Sequence, residues 1–245
     1  MPREFTLMGT RVRKWLRIAW RPLFVEALSI SAAACLYAQN TGSSVLSIRL
    51  EQKNGDVARA VPQNTVFRNG DILRFRLTSE MDGYLYVVDK GSTGNVAVLF
   101  PASGSAAGNH IETGRNYLVP AEGDGWFEVS GPAGFDVLYF LVSATPIALP
   151  SGPAANQDNE NAPPPPNLLP RCDDAIFKAR GECVDASAGV APLPPNAAVP
   201  RELVPLARTA SRDIVVTDDG DDTGVQSAPA AKLPIIYTFR LAHRE

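Results

Sequence analysis

The pattern of apolar and polar residues predicts an all-β fold, an antiparallel β-sandwich of the Ig-like or Greek-key type. Three observations carry this expectation. Short alternating runs recur between Val45 and Val142. Turn signals such as Asn69-Gly70, Asp82-Gly83 and Ser92-Thr93-Gly94-Asn95 separate them, supplying the positive φ angles that tight turns need. No long helical periodicity intervenes, and seven or so short strands of this spacing point to a sandwich or barrel. The same reading places a long proline-rich, largely disordered insertion over residues 150–234.

Val45 to Gln52 alternates Leu46, Ile48 and Leu50 with Ser47, Arg49 and Glu51, the signature of a half-buried strand. Lys53 to Asp56 turns it, and Ala60 to Val66 is extended, with Pro62 suiting an edge or connection. Leu73, Phe75 and Leu77 face away from Arg74 and Arg76. In Tyr84–Val88 both faces are apolar, so this strand is expected centrally, between two layers. Val96 to Phe100 follows and stops at Pro101; further strands are expected at 117–119, 126–129 and 137–142.

Composition changes at Pro150. Fourteen of the 21 prolines but only one aromatic residue, Phe177, lie between Pro150 and Pro234. The uninterrupted run Pro163 to Pro166 favours polyproline II, and so few large apolar groups offset ordering entropy poorly. A helical turn between Cys172 and Cys183 and a short strand at 212–217 are the local exceptions. From Ile235 to Leu241 alternation returns. A lone strand is unstable in water, so this one is expected to close the sandwich beside Val45–Gln52. Domain 45–149 and strand 235–245 would then form one sandwich.

The chain begins with Arg11, Arg13, Lys14, Arg17 and Arg21, then the apolar run from Leu23 to Gln39. A basic segment, an apolar stretch and small residues near Ala38 predict a secretory signal peptide over residues 1–38. An inner-membrane anchor over 15–38 is the alternative, disfavoured because Glu26 shortens the uncharged span below about 20 residues. Ala32-Ala33-Ala34-Cys35 also resembles a lipobox, with an ordinary apolar signal residue as the competing reading of Cys35. Periplasm or cell envelope is the expected location. There, Cys172 and Cys183 read as a local disulfide. Two thiolate metal ligands are the rival, but only His110 and His243 are available to complete a tetrahedral site.

Chemistry is sparse. With 23 basic and 26 acidic residues and a net charge of -3, a nucleic-acid partner is excluded as the general case. There is no G-x-S-x-G elbow, H-E-x-x-H pair or phosphate-cradling loop. Ser105, among small residues, has only His110 nearby as a base, and a surface loop is the ordinary reading. Asp218 to Asp222 clusters carboxylates but lacks the spacing of a calcium loop. No metal and no cofactor are expected. Trp126 and Tyr117, with Tyr84 and Tyr86, could form an aromatic platform; of these Trp126 sits where exposure is plausible, beside a glycine-rich turn.

Four motifs occur in order: Phe67-Arg68-Asn69-Gly70-Asp71, Asp82-Gly83-Tyr84-Leu85-Tyr86-Val87, Val98-Leu99-Phe100-Pro101 and Gly131-Pro132-Ala133-Gly134. Together, over about Thr65 to Pro146, they resemble the bacterial DUF4384 family. The resemblance implies an extracytoplasmic or envelope-associated domain with no established activity, found elsewhere fused to caspase-like peptidase or kinase modules. Folding alone accounts for the motif residues: Gly70, Asp71, Gly83 and Gly134 serve turns, Tyr84, Tyr86, Leu99 and Phe100 bury apolar surface, and Pro101 ends a strand. The expected function is a non-enzymatic exported binding or scaffolding module whose partner is a protein or envelope component. Membrane contact would come only through the N-terminal segment or a lipidated Cys35. The alternatives are a regulatory subunit of a separate envelope enzyme and a hydrolase with an unrecognised site. A functional surface is expected at the Trp126 turn or in the proline-rich insertion.

Overall fold

The computed structural model describes residues 43–101, 108–121, 125–149, 169–212, 214–218, 223–227 and 233–245. The expected signal peptide or anchor with Cys35, the Ser105 loop, the run Pro163 to Pro166 and the acidic residues 219–222 lie outside them. In chain order the strands are β1 (Ser43–Asn54), β2 (Val57–Ala60), β3 (Val66–Arg68), β4 (Ile72–Ser79) and β5 (Gly83–Lys90). Next come β6 (Val96–Phe100), β7 (His110–Ile111), β8 (Asn116–Val119), β9 (Phe127–Glu128) and β10 (Gly134–Ser143). Helix α1 (Asp174–Arg180), β11 (Gly189–Pro192) and the short α2 (Val204–Ala207) follow, then β12 (Ile214–Asp218), β13 (Thr223–Ser227) and β14 (Ile235–Arg244).

The strands form two sheets of a sandwich. The first has the order β12-β13-β1-β4-β8, with β2 on β1 and β9 on β4. The second has the order β11-β14-β10-β5-β6, with β3 running parallel to β14 and β7 on β5. In the first sheet Ile48 lies opposite Leu77 and Leu50 opposite Phe75, all fully buried. Their neighbours Glu51, Arg74 and Arg76 turn outward and form an ion-paired cluster, with Arg74 Nε 2.6 Å and Arg76 Nε 2.8 Å from the Glu51 carboxylate. Burial would raise the Glu51 carboxyl, but hydrogen bonds and charge from Arg76 and Arg74 outweigh it and hold it below the ordinary range. The first sheet therefore has one dry face and one charged face.

The second sheet is dry on both sides. Leu85 and Val87 of β5, Leu138 and Phe140 of β10, and Tyr237 and Phe239 of β14 face the first sheet. Tyr86, Val88, Tyr139, Leu141 and Ile236 face the opposite way. That second apolar surface must be covered, and the proline-rich region covers it. Leu193, Leu203 and Ala207 are buried against it, with Ile147, Leu149, Val199 and Leu206 alongside. The structure thus differs from the expectation of a largely disordered insertion: residues 169–212 are folded. Prolines leave neighbouring carbonyls without ladder partners, and here a guanidinium supplies donors. Arg212 Nη1 donates to Pro194 O at 2.7 Å and also to Pro195 O, and Nη2 to Ala207 O at 2.8 Å.

The Cys172–Cys183 disulfide forms as expected and closes around α1. Asp173 caps α1 by accepting from Ala175 N and Ile176 N, and Gly181 ends it with φ 72°. The closed loop docks on β3, where Val66 N donates to Cys183 O at 2.9 Å and Asp185 N to Asn64 O at 2.8 Å.

The last strand joins the sandwich, but not beside β1. It pairs with β10 over nine residues, from Val142 opposite Ile235 to Gly134 opposite His243, and with β11 on its other side. The reason is its amphiphobic character. All of β14 except Arg240 and Arg244 is buried, so it belongs in the sheet with two dry faces, whereas β1 turns polar groups to solvent. Removing residues 233–245 should abolish the cooperative unfolding transition. Phe239→Ala should cost about 3–5 kcal/mol in denaturant titration, and loss of the disulfide about 2–3 kcal/mol.

Candidate functional site

At one end of the sandwich the inward-facing rows stop being apolar. On β5 the row runs Leu85, Val87, Asp89; on β10 Phe140, Leu138, Asp136; on β14 Phe239, Leu241, His243. Strand register brings the three polar ends together, with Asp89 opposite Leu138, Asp136 opposite Leu241 and His243 opposite Gly134. A cavity of about 410 Å³ opens at this end. Its rim is the β5–β6 turn, including Gly91, Ser92 and Thr93, and residues 128–131, from the end of β9 onward. Its apolar wall is Leu99, Phe127, Leu138 and Leu241.

Asp136 organises the cavity. Its Oδ1 accepts from Ser92 N at 2.7 Å and lies 3.3 Å from Nε2 of His243. The His243 side chain is wholly buried, and the Nε2 nitrogen donates when Asp136 is ionised. Ser92 Oγ donates to Pro132 O at 3.1 Å and Asn69 Nδ2 to Gly131 O at 3.1 Å, which ties the two sides of the rim. Asp89 has a different environment. Its Oδ1 is enclosed without a hydrogen-bond partner among the described residues, and burial, then the charge of Asp136, pushes its carboxyl up to about 7. Both carboxylates converge on Gly91. A Cβ at that position would lie 3.6 Å from Asp136 Oδ1 and 4.0 Å from Asp89 Oδ2. Among the described residues lining the cavity there is no Lys, Arg or His.

Most of the candidate site residues read from the sequence fall elsewhere. Leu99 lines the cavity. Gly134, buried at the start of β10, pairs with His243. Gly70, with φ 90°, and Asp71 form a turn, in which Asp71 Oδ2 accepts from Arg68 N and the backbone bonds Val129. Gly83 meets β10 so closely that a Cβ would lie 2.9 Å from Ser143 O. Tyr86 OH accepts from Ile147 N at 2.5 Å, and Tyr84 packs edge-on to His110 with centroids 5.1 Å apart. Phe100 is buried, and Pro101 follows the end of β6.

Trp126 is not a free platform, because the Arg74 guanidinium covers its ring at 4.1 Å and Lys53 approaches it at 5.8 Å. Tyr117 packs against the core, and its hydroxyl accepts from Glu112 N. Among the described residues no set of three or more His, Cys, Asp or Glu is grouped to hold a metal. The cavity residues Asp89, Gly91 and Asp136, and His243 behind Asp136, escaped the sequence motifs. Their signal was present: each of three apolar rows ends on a polar residue in phase with it.

The Asp89 carboxyl ties stability to pH. Its folded value near 7 exceeds the ordinary 3.8, so the native state holds a proton that the unfolded chain releases. This stabilisation is present at acid pH and is lost as pH rises through about 7. Thermal midpoints should therefore fall between about pH 5 and pH 8, and Asp89→Asn should flatten that slope in scanning calorimetry.

Comparison with known proteins adds one match. No curated protein and no solved structure matches the chain. The segment from the start of β3 to just beyond β10 holds Asp89, Gly91 and Asp136, whereas β1 and β11–β14 lie outside it. Residues 66–146 match the model of the DUF4384 family, described as a domain of unknown function.

Proposed function

We propose that the protein is a non-enzymatic binding module of the bacterial cell envelope, and that the cavity between Asp89 and Asp136 is its ligand site. One observation carries the reading: the inner rows of three strands end in polar groups around an open cavity of about 410 Å³, within the size range of small-molecule sites. Binding is favoured over turnover because Ser92 Oγ is committed to Pro132 O and the His243 ring to Asp136, so neither forms a nucleophile–base pair. The envelope location rests on the basic and apolar N-terminal segment and on the Cys172–Cys183 disulfide, a bond that persists in oxidising compartments.

A specific observation favours a second reading, hydrolysis. Asp89, with its carboxyl near 7, stands beside Asp136, and one protonated carboxyl next to a second is the arrangement of acid catalysis.

Amide NMR spectra of the protein with the small-molecule fraction of envelope extract separate these readings. Shifts confined to Gly91, Ser92 and Gly131, lost in Gly91→Leu, are expected. Shifts that persist in Gly91→Leu would overturn the cavity as the ligand site. Steady chemical conversion of the bound compound would favour the hydrolase. Recovery of the native protein in the cytosol with both cysteines reduced would overturn the envelope assignment.

A further inference from the structure

We infer that the cavity takes an organic ammonium group, a protonated primary amine on a hydrocarbon stem, seated in front of Gly91 between Asp89 and Asp136. The inference rests on the reading of the cavity as a ligand site and names its ligand class.

Asp89, Asp136 and Glu128 are the ionisable side chains lining the cavity among the described residues. A bound anion would face three carboxyl groups with no cation beside it, while a cation would be attracted by all three. Asp89 is open to a partner on the cavity side. Its Oδ1 points into the protein without a donor, so the fold itself stabilises the anion poorly. Stabilisation can come from the cavity side, where Oδ2 lies 4.0 Å from the Cβ position of Gly91. Asp136 Oδ1 flanks the same point at 3.6 Å. A group placed there meets both carboxylates at once, and charge-assisted hydrogen bonds are the strong ones.

The donor set suits an ammonium rather than a metal ion. Hard divalent cations take six or more oxygen ligands, and no group of three or more suitable side chains is assembled among the described residues. An ammonium needs fewer partners because it carries three N–H donors. The wall beyond the carboxylates is apolar. Leu99, Phe127, Leu138 and Leu241 continue inward from the carboxylates, which suits a hydrocarbon stem rather than a fully hydrated ion.

Occupation is coupled to protonation. The groups facing Asp89 are Asp136 from β10, with His243 of β14 behind it, and Glu128 from β9; Tyr139 of β10 also feels its charge. None is a fixed cation. An ammonium therefore competes with the Asp89 proton, and binding at neutral pH releases that proton to the buffer.

Calorimetric titration with pentylamine, pentanol, pentanoate and calcium chloride tests the assignment, using wild type, Asp89→Asn and Gly91→Leu. Asp89 makes no hydrogen bond that holds the fold, so Asp89→Asn should fold normally. Pentylamine should bind about tenfold or more tightly than pentanol, with pentanoate weakest and with heat that varies with the buffer's ionisation enthalpy. Asp89→Asn should lose about tenfold of that affinity, and Gly91→Leu should abolish it. Equal binding of pentylamine and pentanol, unaffected by Asp89→Asn but lost in Gly91→Leu, would overturn the ammonium assignment and leave the cavity as a ligand site. Tighter binding of calcium would also overturn it. Binding of no probe, or probe binding indifferent to both substitutions, would overturn the assignment together with the cavity reading beneath it.

Discussion

β14 pairs between β10 and β11, and the layers on either side follow from that placement. A strand this far along the chain, apolar on both faces, is stable only inside a sheet that is covered twice. Its placement obliges the chain to return across the second sheet after β10. The return path supplies the covering layer of Leu193, Leu203 and Ala207. The disulfide loop then fastens that path to β3, itself a neighbour of β14. The proline-rich region is thus part of the architecture, held by buried apolar residues and by the carbonyls that Arg212 gathers.

Between the sheets the same strand meets an aromatic cluster. Phe75 of the first sheet inserts edge-on against Phe239 and Phe140, with centroids 4.9 Å and 5.7 Å apart, and Tyr237 stacks on Phe140 at 5.3 Å. These rings lock the sheets face to face. Phe127 stacks on Phe75 at 6.0 Å and also forms part of the cavity wall, so the cavity begins where the aromatic packing stops. Beyond it the inner rows carry Asp136 and His243. Buried polar groups need partners, and the cross-strand bond between these two meets part of that need while leaving Asp89 without a donor.

Strand positions were largely legible because period-2 alternation is a local property. β1, β4 and β14 show it, and the two apolar faces of β5 announced a covered sheet. Other features were hidden for physical reasons. The partner of β14 depends on which sheet offers a second dry face, and that face is covered by Ile147 and Leu149 and by apolar residues between Leu193 and Ala210, small and irregularly spaced. The folding of the proline-rich region depends on Arg212, which reaches back across the chain to Pro194. Trp126 read as exposed because its guanidinium cover comes from β4, distant in sequence. The cavity was invisible because Asp89, Asp136 and His243 lie on three strands and form no motif; register alone assembles them.

Asp89, whose Oδ1 is buried without a donor among the described residues, is the group proposed to await a cationic partner, and its own titration is the test of that claim. Carboxyl carbon shifts followed by NMR in the ligand-free protein should place the Asp89 midpoint at about 7. A midpoint in the ordinary aspartate range, near 4, would show that Asp89 is solvated like any surface carboxylate and would contradict the claim.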